Sequence, residues 1–400
     1  MRRKGADDVP PRRVNRQKIR RAVRATAWAV GVACWLAPCL AGGPTAPKGS
    51  GGAAPLAERR LLYVAAPGIR NYVEWGGKGI LVYDIDRGHT FVKRIPSPFD
   101  DPAGKVENIK GVCASAATRR LYVTSLTRLA CIDLVTEKPL WVKALEGGCD
   151  RMAVAPDGKV LYVPSLEGPH WNVVDGTTGA VIRKLTTGQG AHNTVWPPGG
   201  TRVFMADLRS STLLVADGAT HEVVERVGPF SAPIRPYTVN GDGTRCFVNV
   251  NGLLGFEVGD VRTGKMLHRV EVPGYHPGPV KRHGCPSHGV GLTPDEKELW
   301  VVDGANHRLH IFDATVLPPR YLTSIELAVD QPGWVTFSLD GRTAYPSTGE
   351  VIDTRTRQIV AHLRDEEGRQ VQSEKLLEID FAGDVPVRAG DQFGVGRVAR

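Results

Sequence analysis

His283-Gly-Cys-Pro-Ser-His-Gly-Val-Gly-Leu-Thr-Pro-Asp-Glu-Lys-Glu-Leu-Trp-Val-Val-Asp-Gly-Ala-Asn-His-Arg-Leu-His-Ile-Phe-Asp313 decides the fold. It holds two alternating apolar runs closed by a turn at Pro294-Asp295, then a polar loop, then a third run ending at Asp313. The turn core recurs down the chain. Val154-Ala-Pro-Asp-Gly-Lys-Val-Leu-Tyr-Val163 is its cleanest copy, and degenerate copies surround Pro198, Gly241 and Leu339, with a strand lacking the turn glycine after Ala116. With Ala116, Pro156, Pro198, Gly241, Pro294 and Leu339 taken as equivalent, the intervals are 40, 42, 43, 53 and 45 residues. A period in the forties with four short strands per unit is the signature of a β-propeller.

The two ends of the repeat array complement each other. Runs at Arg60–Val64, Ile80–Asp84 and His89–Ile95 supply the second, third and fourth strands of a first repeat whose first strand is missing. An unassigned run remains at Leu376–Phe381. Placing that run in the vacant position removes two open sheet edges. The prediction is therefore an all-β, seven-bladed propeller with four-stranded blades, its ring closed by a C-terminal strand that completes blade one. The expected blades are 59–99 with 374–384, then 106–145, 147–188, 190–230, 232–273, 286–329 and 331–365.

Composition places the remaining segments. The chain has 400 residues, 42% of them apolar, and a formal net charge of +9. Residues 1–24 hold ten Lys or Arg against Asp7 and Asp8, a net of +8, so the folded body is nearly neutral. That balance argues against nucleic acid as a partner. The basic run precedes the apolar residues Ala25 to Ala41, the order of a secretory signal, and residues 42–57 are Gly-, Ala- and Pro-rich. The expected division is a signal peptide at 1–41, a flexible linker at 42–57, the propeller at 58–390 and an irregular tail at 391–400. A secreted or periplasmic monomer is expected, with membrane attachment only through an uncleaved signal. Cys113, Cys131 and Cys246 fall in strand patterns and read as buried apolar residues, whereas Cys149 and Cys285 fall in loops.

The chain resembles the YVTN-type, YncE-like seven-bladed propellers. Pro156-Asp-Gly-Lys-Val-Leu-Tyr-Val163 followed by Val174-Asp-Gly-Thr-Thr-Gly-Ala-Val-Ile182 carries the resemblance, which extends over about residues 59 to 385. It implies the architecture. The broader relatives include binding proteins, lactonases and polysaccharide lyases, so it does not imply one activity.

Chemistry is sought where the innermost strands start, because they open on one face of the central channel. Six residues before each equivalent turn stand Lys110, Asp150, His192, Arg235, His288 and Gly333, with Lys375 or its neighbour in blade one. Five of these six registers hold Lys, Arg, Asp or His, whereas Lys, Arg, Asp, Glu and His together make up only 104 of the 400 residues. Such a ring is a cationic well suited to a carboxylate, which Arg235 can grip bidentately. His192 and His288, two blades apart, are the candidate acid and base for a β-elimination or a lactone opening. The candidate ligand-binding residues are Lys110, Asp150, Arg235, His283 and His307, with Tyr72 and Trp75 as a sugar-stacking platform.

Two function classes follow: a lyase or hydrolase acting on an anionic, uronic acid-type carbohydrate or lactone, and a non-catalytic ligand- or protein-binding module of the cell envelope. His276, His283, Cys285 and His288 lie within 13 residues and form a candidate zinc or copper set. Alternatively, the ring residues plug the channel through ion pairs such as Asp150 with Lys110 or Arg235.

Overall fold

The computed structural model describes residues 58–99, 104, 106–279 and 285–398. The expected signal and linker lie outside the described residues. No helix among them is long and apolar enough to cross a membrane.

Seven antiparallel sheets follow one another along the chain, and the repeats of the sequence are its blades. Blades two to seven begin at the innermost strands Gly111–Ser115, Ala153–Val154, Ala191–Val195, Ile234–Val239, Val290–Leu292 and Val335–Phe337. Each is followed by three more strands in simple up-and-down order. The burial pattern explains the sequence pattern. Second strands such as Arg120–Thr124 are buried along nearly their whole length because neighbouring blades cover both faces. Fourth strands such as Lys265–Glu271 alternate, because one of their faces meets water.

Seven apolar clusters among the described residues join the blades in sequence, one to two, two to three and so on. The seventh joins blade seven to blade one through Tyr345, Val351 and Leu363 against Leu62, Val64 and Tyr83. The ring closes by hydrogen bonding between strands from the two ends of the array, as expected. Leu376–Ala382 pairs antiparallel with Glu58–Ala66, with Leu61 opposite Ile379 and Tyr63 opposite Leu377.

The recurring Asp at the end of third strands shapes the outer turns. Asp175 Oδ1 accepts from the Thr177 and Thr178 amides at 3.0 and 2.8 Å, and Gly179 completes the turn at φ +73°. Asp133 accepts from the Val135 and Thr136 amides, Asp313 from that of Thr315 and Asp353 from that of Thr356.

The sequence did not foretell the path of the chain after the closing strand. Val385–Ala389 adds a fifth strand to blade one on its channel side. Residues 391–398 form no strand, but they are packed into the same compact unit. The Gly394 carbonyl accepts from Leu292 N at 2.8 Å and Thr238 Oγ1 at 2.7 Å, and Gly396 N donates to the Val239 carbonyl at 2.9 Å. Gln392 Oε1 receives Val112 N at 3.3 Å, while Phe393 and Val395 are buried. Through these bonds the segment ties blades two, five and six together. All five described cysteines are free and buried, including Cys149 and Cys285.

Candidate functional site

The innermost strands position the ring. Lys110 and Lys375 each stand one residue before a strand, and His288 stands two residues before one. Within the longer strands of blades four and five, bulges perform the same task. Ala191 pairs with Asp207 and Asn193 with Ala206, so His192 is the extra residue of a bulge. A second irregularity between Ile234 and Tyr237 contains Arg235. Bulges re-aim a side chain without ending the sheet.

These residues surround one cavity of about 330 Å³, lined among others by Lys110, His192, Arg235, His288 and Lys375. Five residues at equivalent strand starts thus converge on a single mouth. Asp150 sits just behind the wall, its side chain fully buried. It receives Lys110 Nζ at 3.3 Å on Oδ1, and its Oδ2 lies 2.8 Å from His192 Nδ1. Burial opposes ionisation of the Asp150 carboxyl, but His192, Lys110 and Arg151 outweigh it and hold the group well below the usual carboxylate range.

A second cluster went unnoticed in the sequence. Arg151 and Glu374, each the chain neighbour of a ring residue, also line the cavity, and an Arg151 Nη2 hydrogen bond joins them. Glu374 Oε2 also accepts from Lys375 Nζ at 2.8 Å, and the same ammonium donates to the Gly68 carbonyl at 2.6 Å. The guanidinium of Arg151 lies 4.2 Å from the Trp334 ring centroid. The Arg151 signal was available: it immediately follows Asp150. The mouth takes a residue adjacent to the register position in blade three and two consecutive residues in blade one.

Arg235 differs from the other cations. Its Nε donates to Asn251 Oδ1 at 2.5 Å, and among the described residues no carboxylate pairs with it. His288 Nδ1 lies 3.2 Å from the Gly333 carbonyl.

The remaining candidates fall elsewhere. Tyr72 and Trp75 meet edge to face, ring centroids 4.8 Å apart, and line no part of the cavity; their loop contributes Ile69 and Arg70 instead. His307 is exposed in a left-handed turn at φ 53°, away from the cavity lining. His283 lies outside the described residues. Of the candidate metal set, His276 is exposed and His288 lines the cavity. Cys285 is buried, donating its thiol to the Ser287 carbonyl at 2.8 Å, and burial pushes that thiol up to about 12. Among the described residues the one grouping with metal-ligand spacing is Asp365, Glu366 and Glu367, whose carboxylates pair with Arg94 and Arg369.

No protein-family model matches this chain, and no curated protein matches it.

Proposed function

We propose that the protein is a secreted or periplasmic YVTN-type propeller whose channel mouth binds a carboxylate-bearing carbohydrate or lactone and performs acid-base chemistry on it. One observation carries this reading: the Asp150–His192 pair opens on a cavity that Lys110 and Arg235 also line.

A carboxylate that accepts from Nδ1 fixes the imidazole tautomer and leaves Nε2 as the basic nitrogen. In a β-elimination, that nitrogen takes the proton α to the substrate carboxylate. Arg235, with its Nη groups unspent on any described carboxylate, grips that carboxylate and stabilises the enolate that develops. His288 in its protonated form supplies the leaving-group proton. In a lactone opening, the same base activates water and the same cations stabilise the oxyanion. Asp150 acts through His192 and is a positioning residue.

The paired cluster Arg151–Glu374–Lys375 favours a second reading. Cations already fixed by an internal carboxylate make a preorganised bed for a ligand and do not themselves require turnover. Assay of the purified protein on a panel of uronic acid polymers and lactones separates the two. The first reading expects turnover that falls about 10²- to 10⁴-fold in His192→Ala. Unchanged turnover in that variant would remove His192 from the mechanism. Retention of an anionic ligand without turnover of any substrate would select the binding reading.

A further inference from the structure

We propose that Lys375 is a covalent amine of this site, forming an imine with a carbonyl compound that also carries a carboxylate, such as an aldehyde acid. The inference deepens the carboxylate-binding reading above and rests on it.

The Lys375 side chain is only 4% exposed, yet it lines the cavity with Arg235 and His192. Its nitrogen has two described hydrogen-bond acceptors, the Gly68 carbonyl at 2.6 Å and Glu374 Oε2 at 2.8 Å. A neutral amine has two N–H groups and one lone pair, so it can satisfy both acceptors and keep the lone pair for a ligand. An ammonium held by the same contacts has a third N–H for which no acceptor is described.

The charged surroundings favour the same state. Glu374 attracts the ammonium form, while Arg151 and Lys110 repel it, and Arg70 also lines the cavity. Burial, then the Arg151 charge, bring the Lys375 amine down to about 7 against the opposing pull of Glu374. Lysines desolvated beside another cation are the ones that serve as imine-forming nucleophiles.

The step balances without any further reagent. The neutral nitrogen attacks the carbonyl carbon, forming the C–N bond and placing the electron pair of the C=O bond on oxygen. The nitrogen then loses its two protons, the oxygen gains two and departs as water, and the C=N bond remains. Glu374, already in contact with the nitrogen, is placed to accept a proton from it. Arg235 holds the carboxylate of the same molecule. Hydrolysis reverses the sequence.

Glyoxylate, the smallest aldehyde acid, with cyanoborohydride as hydride donor tests this on the intact protein by peptide mapping. The expected result is a carboxymethyl group on Lys375 at pH 7, appearing at least about tenfold faster than on exposed Lys159 or Lys297, because an amine near 7 is half neutral there while an ordinary lysine is almost wholly charged. The Lys375 rate should level off above about pH 7, while the exposed lysines continue to gain. In Arg235→Ala the Lys375 rate should drop about tenfold. Absence of label on Lys375 while exposed lysines react, or a Lys375 rate that follows their pH profile, would overturn the proposal. An unchanged rate in Arg235→Ala would overturn the carboxylate requirement. Turnover is not the readout, so failure of the His192 mechanism leaves this test intact, and failure of trapping leaves the His192 test intact.

Discussion

Asp150 concentrates the electrostatics of the mouth. Its carboxylate is fully buried and joins a lysine on one oxygen to a histidine on the other. Replacing it with Asn keeps the shape and removes the charge. Two effects then separate. His192 loses the acceptor that holds its Nδ1 proton, so turnover should fall about 10²- to 10⁴-fold. The cavity also loses a negative charge, so an anionic ligand should bind as well as before or more tightly. Measuring kcat and ligand affinity in Asp150→Asn checks this split, and parallel losses in both would contradict it. Residue type at a fixed register was enough to find Lys110, Asp150, His192, Arg235 and His288 in the sequence. The partners were not legible. That Asp150 bonds Lys110 and not Arg235, and that Glu374 bridges Arg151 and Lys375, depends on side-chain reach across blades far apart in the chain.

At the scale of the element, the closing strand Leu376–Ala382 joins two unequal faces. Leu377, Ile379 and Phe381 pack into the cluster of blades one and two, a face visible in the alternation of the sequence. The other face carries Glu378 and Asp380, both buried. Glu378 accepts from Arg60 Nε at 2.9 Å and from the Leu339 amide at 2.6 Å, which ties blade one to blade seven. Burial, with the hydrogen bond and charge of Asp380, raises the Glu378 carboxyl to about 7. A folded-state value above the ordinary 4.5 means that the folded chain holds the proton more tightly than the unfolded chain. The stability this confers is full below about 4.5 and is lost as pH rises through 7. Thermal melts should therefore show Tm falling by a few degrees between pH 6 and 8. In Asp380→Asn, where Glu378 no longer faces a second carboxylate, that fall should shrink. An identical fall in the variant would contradict the assignment.

For the whole molecule, the period of about 40 residues and the vacant strand of blade one sufficed for seven blades and their closure, because each blade buries its faces only against its neighbours. The C-terminal floor was not legible. Residues 391–398 hold an Asp-led, glycine-rich turn too short to read as an element, and their order comes from the Asp391 carboxylate, which accepts from the Phe393 amide at 2.8 Å, and from backbone bonds to inner strands of blades far away in sequence. That floor also reaches the site. Trp334 donates its indole N–H to the Gln392 carbonyl and packs on Phe393, ring centroids 5.4 Å apart, while Arg151 and His288 lie against its ring. The C-terminal segment thus backs the aromatic ring against which Arg151 and His288 lie. The central claim is that this mouth recognises a carboxylate. Calorimetric titration with a uronic acid and with the corresponding neutral sugar tests it most directly. The expected result is saturable binding of the uronic acid alone, weakened about tenfold or more in Arg235→Ala, as for loss of a bidentate charged hydrogen bond. Equal binding of both sugars, or uronic acid binding indifferent to Arg235, would contradict it.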